Sequence, residues 1–216
     1  PLYNPYILSG TTFVGNMDTG VFNPMNILLL IGDFYFAYGL FIFVHLFIAG
    51  ISMFFLLKNA FYLDRIISLI GGLAYMFGYV WSSVGNGFYR CAWLVPLVFY
   101  FLIKFFENND NKNLRIYSFF LSISLFILLI CGNFLEAYFT LFFSGIFIIF
   151  NLLNHLNKDT KIIDKQLFWS LAVAFISGFL LSCPAILPAY FAGVDSYRAG
   201  GIPLNEAQHW SFPPIR

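Results

Sequence analysis

The chain has 216 residues, of which 60% are hydrophobic, 22% aromatic and only 10% charged. Soluble domains carry about 25% charged residues, so this chain has too few ionised groups to cover a globular surface. Its net charge of +1 says nothing about partners, but the sequence has no basic stripe, so nucleic acid is not expected as a partner. We therefore expect an integral membrane protein, and the all-α class is the one that its long apolar runs favour.

The first 33 residues contain no Lys or Arg and are rich in turn residues. Asn23 followed by Pro24 is typical of an N-cap and a first helical position. The apolar run from Met25 to Ile31 is too short to cross a bilayer. We expect residues 1–33 to form an ordered outer loop packed on the bundle, with a short interfacial helix starting at Pro24.

A spanning helix needs about 20 mostly apolar residues, and six segments come close to that length. In chain order they are Phe34–Leu57, Ile66–Val84, Cys91–Phe106, Ile116–Ile130, Phe134–Leu153 and Leu167–Phe191. The sequence therefore predicts a polytopic bundle of about six transmembrane helices over residues 34–191. Residues 192–216 are expected to form an outer C-terminal segment.

Orientation follows from the basic residues in the connections. Eight of the 11 fall on one side, namely Lys58, Arg65, Lys104, Lys112, Arg115, Lys158, Lys161 and Lys165. The other side has Arg90, Arg198 and Arg216. The positive-inside rule makes the first side cytoplasmic, so both chain ends are predicted to be extracytoplasmic.

The sequence begins at Pro1 without Met or a signal-peptide pattern. It ends at Arg216, just after a polar stretch rich in proline. We expect a fragment of a longer polytopic protein.

Several short motifs follow one another in an order seen in one group of bacterial membrane proteins. They are Pro1-Leu2-Tyr3-Asn4-Pro5-Tyr6, Gly20-Val21-Phe22-Asn23-Pro24-Met25-Asn26, His45-Leu46-Phe47-Ile48-Ala49-Gly50, Ala92-Trp93-Leu94-Val95-Pro96-Leu97, Gly132-Asn133-Phe134-Leu135-Glu136, Ser196-Tyr197-Arg198-Ala199 and Trp210-Ser211-Phe212-Pro213-Pro214. Over nearly its whole length the chain resembles the YfhO-like membrane proteins. It departs from them at Asn133, where the family often has Gly-His-Pro-Glu.

The resemblance implies a GT-C-type glycosyltransferase of the bacterial cytoplasmic membrane. Such an enzyme takes a sugar from a polyprenyl-phosphate carrier and moves it to a cell-envelope glycan or polymer on the outer face. Its partners would be membrane lipid, the lipid-linked donor and that acceptor. No organic cofactor is expected, and a divalent metal is left open. The usual catalytic acid would precede Pro1, in a part that this fragment lacks together with the first span.

Two carboxylates are candidate catalytic residues. Glu136 stands three residues after Asn133, the spacing of a capping box, and a negative charge also suits a helix N-terminus. Alternatively, Glu136 is presented to an outer cavity, where it binds a sugar hydroxyl or acts as a base. Asp18 lies in the outer loop, either as a turn residue or in place of the missing acid.

The candidate substrate-binding residues are polar groups predicted on the outer side. Arg90 and Arg198 could bind the carrier phosphate, because a guanidinium binds phosphate bidentately. The alternative is that both reach lipid headgroups, or that Asp195 pairs with Arg198. The motifs that carry the resemblance add Ser196, Asn4 and Tyr6.

Two kinds of reactive side chain fall inside the predicted spans or next to their ends. His45 lies near the middle of the first, either bonded to a neighbouring helix or acting as a proton relay or substrate contact. The three cysteines have no metal-ligand spacing and are interpreted as buried apolar thiols: Cys91, Cys131 and Cys183.

Two other functions stay open. A transporter or flippase of a lipid-linked or anionic substrate would need ionisable groups at mid-depth on several spans, and often internal repeats. The sequence has one such ionisable group, His45, and no internal repeat. A non-catalytic subunit of an envelope-assembly complex is the other alternative, because the expected catalytic acid lies outside the fragment.

Overall fold

A computed structural model describes residues 3–4, 11–12, 14–16, 19–83, 89–107, 110–157 and 165–194. The described chain is helical except for one short antiparallel hairpin, in which Tyr3 pairs with Thr12 and Asn4 with Thr11. The elements in order are β1 Tyr3–Asn4, β2 Thr11–Thr12, a 3₁₀ helix Pro24–Leu30, α1 Phe34–Asn59, α2 Arg65–Ser83, α3 Tyr89–Ala92, α4 Leu94–Glu107, α5 Asn111–Ile130, α6 Phe134–Asn157 and α7 Lys165–Val194. Apart from this pair of two-residue strands, the predicted all-α class is confirmed for the described residues.

The N-terminal segment, residues 19–33, packs along the first half of α1. Its helix starts at Pro24 as predicted, and the Asn23 side-chain oxygen accepts the backbone N–H of Met25 at 2.9 Å. The helix is 3₁₀ and not α. Three of its side chains pack against Phe41 and Leu46 of α1, namely Met25, Leu28 and Leu29. Residues 25–29 therefore pack on α1 through apolar contacts.

Four described helices are long and apolar enough to cross a membrane: Phe34–Asn59, Asn111–Ile130, Phe134–Asn154 and Gln166–Val194. They correspond to the first, fourth, fifth and sixth predicted spans. The second has a shorter apolar helix, Arg65–Gly78, and the third is divided between α3 and α4. The chain is thus a membrane-type helical bundle.

The third predicted span is broken at Trp93 because Pro96 follows so closely. Pro96 has no backbone N–H, so it cannot bond to the carbonyl oxygen of Ala92 one helical turn earlier. The hydroxyl of Tyr75 in α2 donates to that carbonyl at 2.9 Å. The break is therefore stabilised by a neighbouring helix and not by the local sequence.

Helix α4 lies at the centre of the bundle, between α1, α5 and α6. Four of its side chains are completely buried and recur at helical spacing: Leu94, Val98, Leu102 and Phe105. Helix α5 packs closely on α7, and α1 on α2, whereas α6 touches α4 and α5 over a smaller area. A gap is consequently left between α4 and α6.

We call the end of the bundle where α1 begins the upper end, and the opposite end the lower end. At the lower end, Tyr62 in the α1–α2 turn has a φ of 55°. Its hydroxyl donates to the Glu107 carboxylate at 2.9 Å and accepts from Lys104 at 2.9 Å, while Lys104 and Glu107 form an ion pair at 2.8 Å. These bonds hold the α1–α2 turn against the end of α4.

Candidate functional site

The N-terminal segment meets the helix ends of the upper end at Gly20. Gly20 has a φ of +59°, and a Cβ atom there would lie 2.9 Å from the Cys131 carbonyl oxygen and 3.2 Å from Nη1 of Arg90. Only glycine fits this position, because of both its backbone conformation and its close contacts. Arg90 in α3 and the α5–α6 turn are thereby brought together beneath the segment.

Glu136 lies in the first turn of α6, just after that α5–α6 turn. The Asn133 side-chain oxygen accepts the backbone N–H of Glu136 at 3.1 Å, and the Asn133 carbonyl accepts that of Ala137 at 3.1 Å. This is one half of the predicted capping box, the half in which the Asn133 side chain accepts a backbone N–H from the helix. Glu136 is half-buried, and its Oε2 atom is shielded from solvent.

Arg90 is the basic residue that the described structure places at the upper end, on the four-residue helix α3. Its side chain is half-buried, and its Nε atom is enclosed. Nη1 of its guanidinium lies 3.2 Å from the position that a Cβ atom at Gly20 would take. Arg90 therefore faces the interior of the upper end, which differs from an arginine extended to lipid headgroups.

His45 joins the N-terminal segment to α1. Its Nδ1 is 2.7 Å from the Phe41 carbonyl oxygen and its Nε2 is 3.3 Å from the Asn23 amide nitrogen. A carbonyl oxygen only accepts, so Nδ1 must carry the proton and Nε2 accepts from Asn23. Both ring nitrogens of a fully buried imidazole are thus bonded, which supports the structural interpretation of His45.

An apolar groove of about 780 Å³ runs between α4 and α6. The residues that line it are Val95, Phe99, Leu135, Glu136, Phe139, Thr140, Phe143, Ile146, Phe147 and Phe150. Glu136 is the one charged side chain among these described lining residues, and it stands at the upper end of the groove. From Glu136 to Phe150 the groove follows α6 for roughly 21 Å, at about 1.5 Å per residue.

The structure brings Arg90 and Glu136 to the same end of the bundle, as predicted. For Asn4 the structure describes the backbone, in β1, and not the side chain. The remaining predicted site residues lie outside the described residues: Asp18, Tyr6, Asp195, Ser196 and Arg198. In the described part of the chain, no cluster of three or more His, Cys, Asp or Glu side chains is placed to hold a metal ion.

Two features of the upper end were missed in the sequence. The buried sulfur of Cys91 lies 3.9 Å from the Leu128 carbonyl oxygen of α5, a contact between segments that the sequence separates widely. The groove was also missed, because most of α6 is apolar and its sequence does not show which of its faces α4 leaves uncovered. Pro96, which breaks the third span before α4, was the feature of the sequence that could have indicated an irregular position of α4.

No protein-family profile, curated protein or solved structure matches this chain. Membership of the YfhO-like proteins therefore stays a prediction from the motifs.

Proposed function

We propose that the chain belongs to a GT-C-like membrane glycosyltransferase, which moves a sugar from a polyprenyl-phosphate carrier to a cell-envelope acceptor. The observation that carries the proposal is the apolar groove between α4 and α6, headed by the Glu136 carboxylate. A lipid-linked sugar has the matching form, with a long hydrocarbon chain and a polar headgroup at one end.

The lining of the groove suits a hydrocarbon chain. Its described wall consists of aromatic and aliphatic side chains except for Glu136 and Thr140. The Thr140 hydroxyl donates to the Glu136 carbonyl oxygen at 2.7 Å, so that polar group is already satisfied. An isoprenoid chain along the groove below Glu136 would bury apolar surface without leaving the Thr140 hydroxyl unbonded.

The chemistry requires a base and a cation at the headgroup. Glu136 would accept the proton of the acceptor hydroxyl, which then attacks the anomeric carbon. The bond from that carbon to the carrier phosphate oxygen breaks, and Arg90 would stabilise the leaving phosphate. Arg198, which lies outside the described residues, is proposed as the second cation.

The proposal includes six membrane crossings with the upper end outside the cell. The four long apolar helices account for four crossings, and α2 together with the α3–α4 pair would supply the other two. Lys58, Lys104 and Arg115 then lie on the cytoplasmic side with the lower end. Arg90 and Glu136 lie on the side where a lipid-linked sugar is presented.

We expect Glu136→Gln to lower sugar transfer by about 10²- to 10⁴-fold, the usual contribution of a general base. The substitution keeps the shape and removes the charge. The assay is transfer from a polyprenyl-phosphate sugar in proteoliposomes. Glu107→Gln, at the lower end, is the matched control and should keep full activity. Full activity of a folded Glu136→Gln protein would exclude Glu136 as the base.

Filling the groove tests the binding of the carrier chain. Ile146 lines the groove and Ile149, on the same helix, does not, although both are about half exposed, at 50% and 59%. Ile146→Trp should raise the KM for the carrier, whereas Ile149→Trp should leave it unchanged. Equal effects of the two substitutions would remove the groove from the proposal.

The described structure gives less support to a transporter. Such a protein needs ionisable groups that change partners at mid-depth. His45 has both ring nitrogens bonded to Phe41 and Asn23, so it is poorly placed to relay protons. A transport assay in the same proteoliposomes distinguishes the alternatives, because a flippase would move the carrier without transferring its sugar.

A further inference from the structure

The apolar groove between α4 and α6 ends within the bundle. Among the described residues, the last that line it are Phe99 on α4 and Phe150 on α6. The two helices are in contact there, because the ring of Phe147 packs edge to face against the rings of Phe99 and Phe106, with centroids 6.3 and 6.1 Å apart. Phe106 is buried, at 8% exposed, and does not line the groove. The groove therefore extends from Glu136 down to this aromatic contact.

One side of the groove is open along α6. Its lining residues on that helix are about half exposed, for example Phe139 at 48%, Phe143 at 54% and Phe150 at 62%. In a membrane this side faces lipid tails, so a hydrocarbon chain can enter from the bilayer and its unbound part can stay there. Lipid tails are as apolar as the groove wall, so entry brings no hydrophobic gain. Binding must come from closer packing of the chain against fixed aromatic rings.

The length of the groove determines how much of a polyprenyl chain fits in it. An isoprene unit has four bonds of about 1.5 Å along the chain, so it spans at most roughly 5 Å when extended. The distance of roughly 21 Å from Glu136 to Phe150 thus matches about four units. The volume of about 780 Å³ has room for roughly five units, at about 30 Å³ per carbon, close to the share of a water molecule in the liquid. The two measures agree.

We propose that the groove binds about the first four isoprene units of the carrier, counted from the phosphate, and leaves the rest of the chain in the bilayer. This inference rests on the proposed function, which supplies a polyprenyl phosphate as the occupant. The site then requires a minimum chain length and has no upper limit. Ile146 lies ten residues after Glu136, which is about 15 Å along α6, or roughly three units from the phosphate.

The first measurement is sugar transfer in proteoliposomes from carriers of one to eight isoprene units, each at a known mole fraction of the lipid. We expect the KM to fall roughly tenfold between one and four units and then to stay constant. Ile146→Trp should end this fall at about three units and leave the KM of the one- and two-unit carriers unchanged. Ile149→Trp should behave as the wild type. For the wild-type protein, a KM that is equal at all lengths, or that still falls at eight units, would overturn the inference.

A binding measurement separates this inference from the proposed function. Long polyprenyl phosphates without a sugar carry a photoreactive diazirine on the second or on the seventh isoprene unit. The second-unit probe should label the groove walls on α4 and α6, with competition by unlabelled polyprenyl phosphate, and the seventh-unit probe should give no competed labelling there. This labelling pattern without transfer from any carrier would overturn the transferase and keep the groove.

Three labelling results would overturn the inference even if the sugar is transferred. The first is no competed labelling by the second-unit probe, and the second is competed labelling by the seventh-unit probe. The third is competition by an unbranched alkyl phosphate that is as strong as competition by polyprenyl phosphate. That result would make the groove a site for ordinary lipid tails.

Discussion

At the scale of single residues, Asn23 shows how one side chain connects local and tertiary structure. Its oxygen caps the 3₁₀ helix, and its nitrogen donates to Nε2 of His45. The sequence predicted the cap from Asn23 and Pro24, because capping depends on neighbours in the chain. The bond to His45 could not be predicted, since it depends on how the segment folds back on α1.

Asn23→Asp separates these two roles. The aspartate keeps an oxygen for the Met25 N–H but places a second oxygen, without a proton, against the lone pair of His45 Nε2. A buried group left without its partner costs about 1–3 kcal/mol. Hydrogen exchange of the backbone amides of residues 25–30 should therefore become faster. Asn111→Asp, an exposed change at the start of α5, is the control, and equal exchange in wild type and Asn23→Asp would contradict the assignment.

At the scale of the elements, apolar runs predicted the starts of α1 at Phe34 and α6 at Phe134. Those boundaries follow from local composition and capping. The division of the third span could not be predicted from local composition, although Pro96 was apparent in the sequence. The break also depends on Tyr75 of another helix, which bonds the free Ala92 carbonyl. The central position of α4 could not be predicted either, because helices that face lipid and helices that lie in the core are both apolar.

The α1–α2 contact depends on two glycines. A Cβ atom at Gly72 would lie 2.7 Å from the Gly50 carbonyl oxygen, whereas one at Gly78, in the same helix, meets nothing within 4 Å. We expect Gly72→Ala to destabilise the protein by about 1–3 kcal/mol, since backbone must move to relieve the contact. Gly78→Ala should be neutral or stabilising. Thermal unfolding in detergent measures both, and equal midpoints would contradict this packing.

At the scale of the whole molecule, the upper end is assembled from the N-terminal segment, α1, α3 and α6. The order of the predicted spans placed Arg90 and Glu136 on the same side of the membrane. The meeting of Arg90 with the α5–α6 turn beneath Gly20 was not predictable, because it needs the actual approach of three segments. The groove arises at the same scale, from the limited contact of α6 with α4.

Orientation in the membrane is the last whole-molecule prediction. Lys58, Lys104 and Arg115 lie at the lower end, and the positive-inside rule places that end in the cytoplasm. Single cysteines at Asn16 and Asn111, both exposed, report the two ends in a protein whose native cysteines are replaced by serine. An impermeant maleimide added to intact cells should label Asn16→Cys at once, and Asn111→Cys only after the membrane is opened. The reverse pattern would put Glu136 on the cytoplasmic side and would contradict the proposed transfer of a sugar on the outer face.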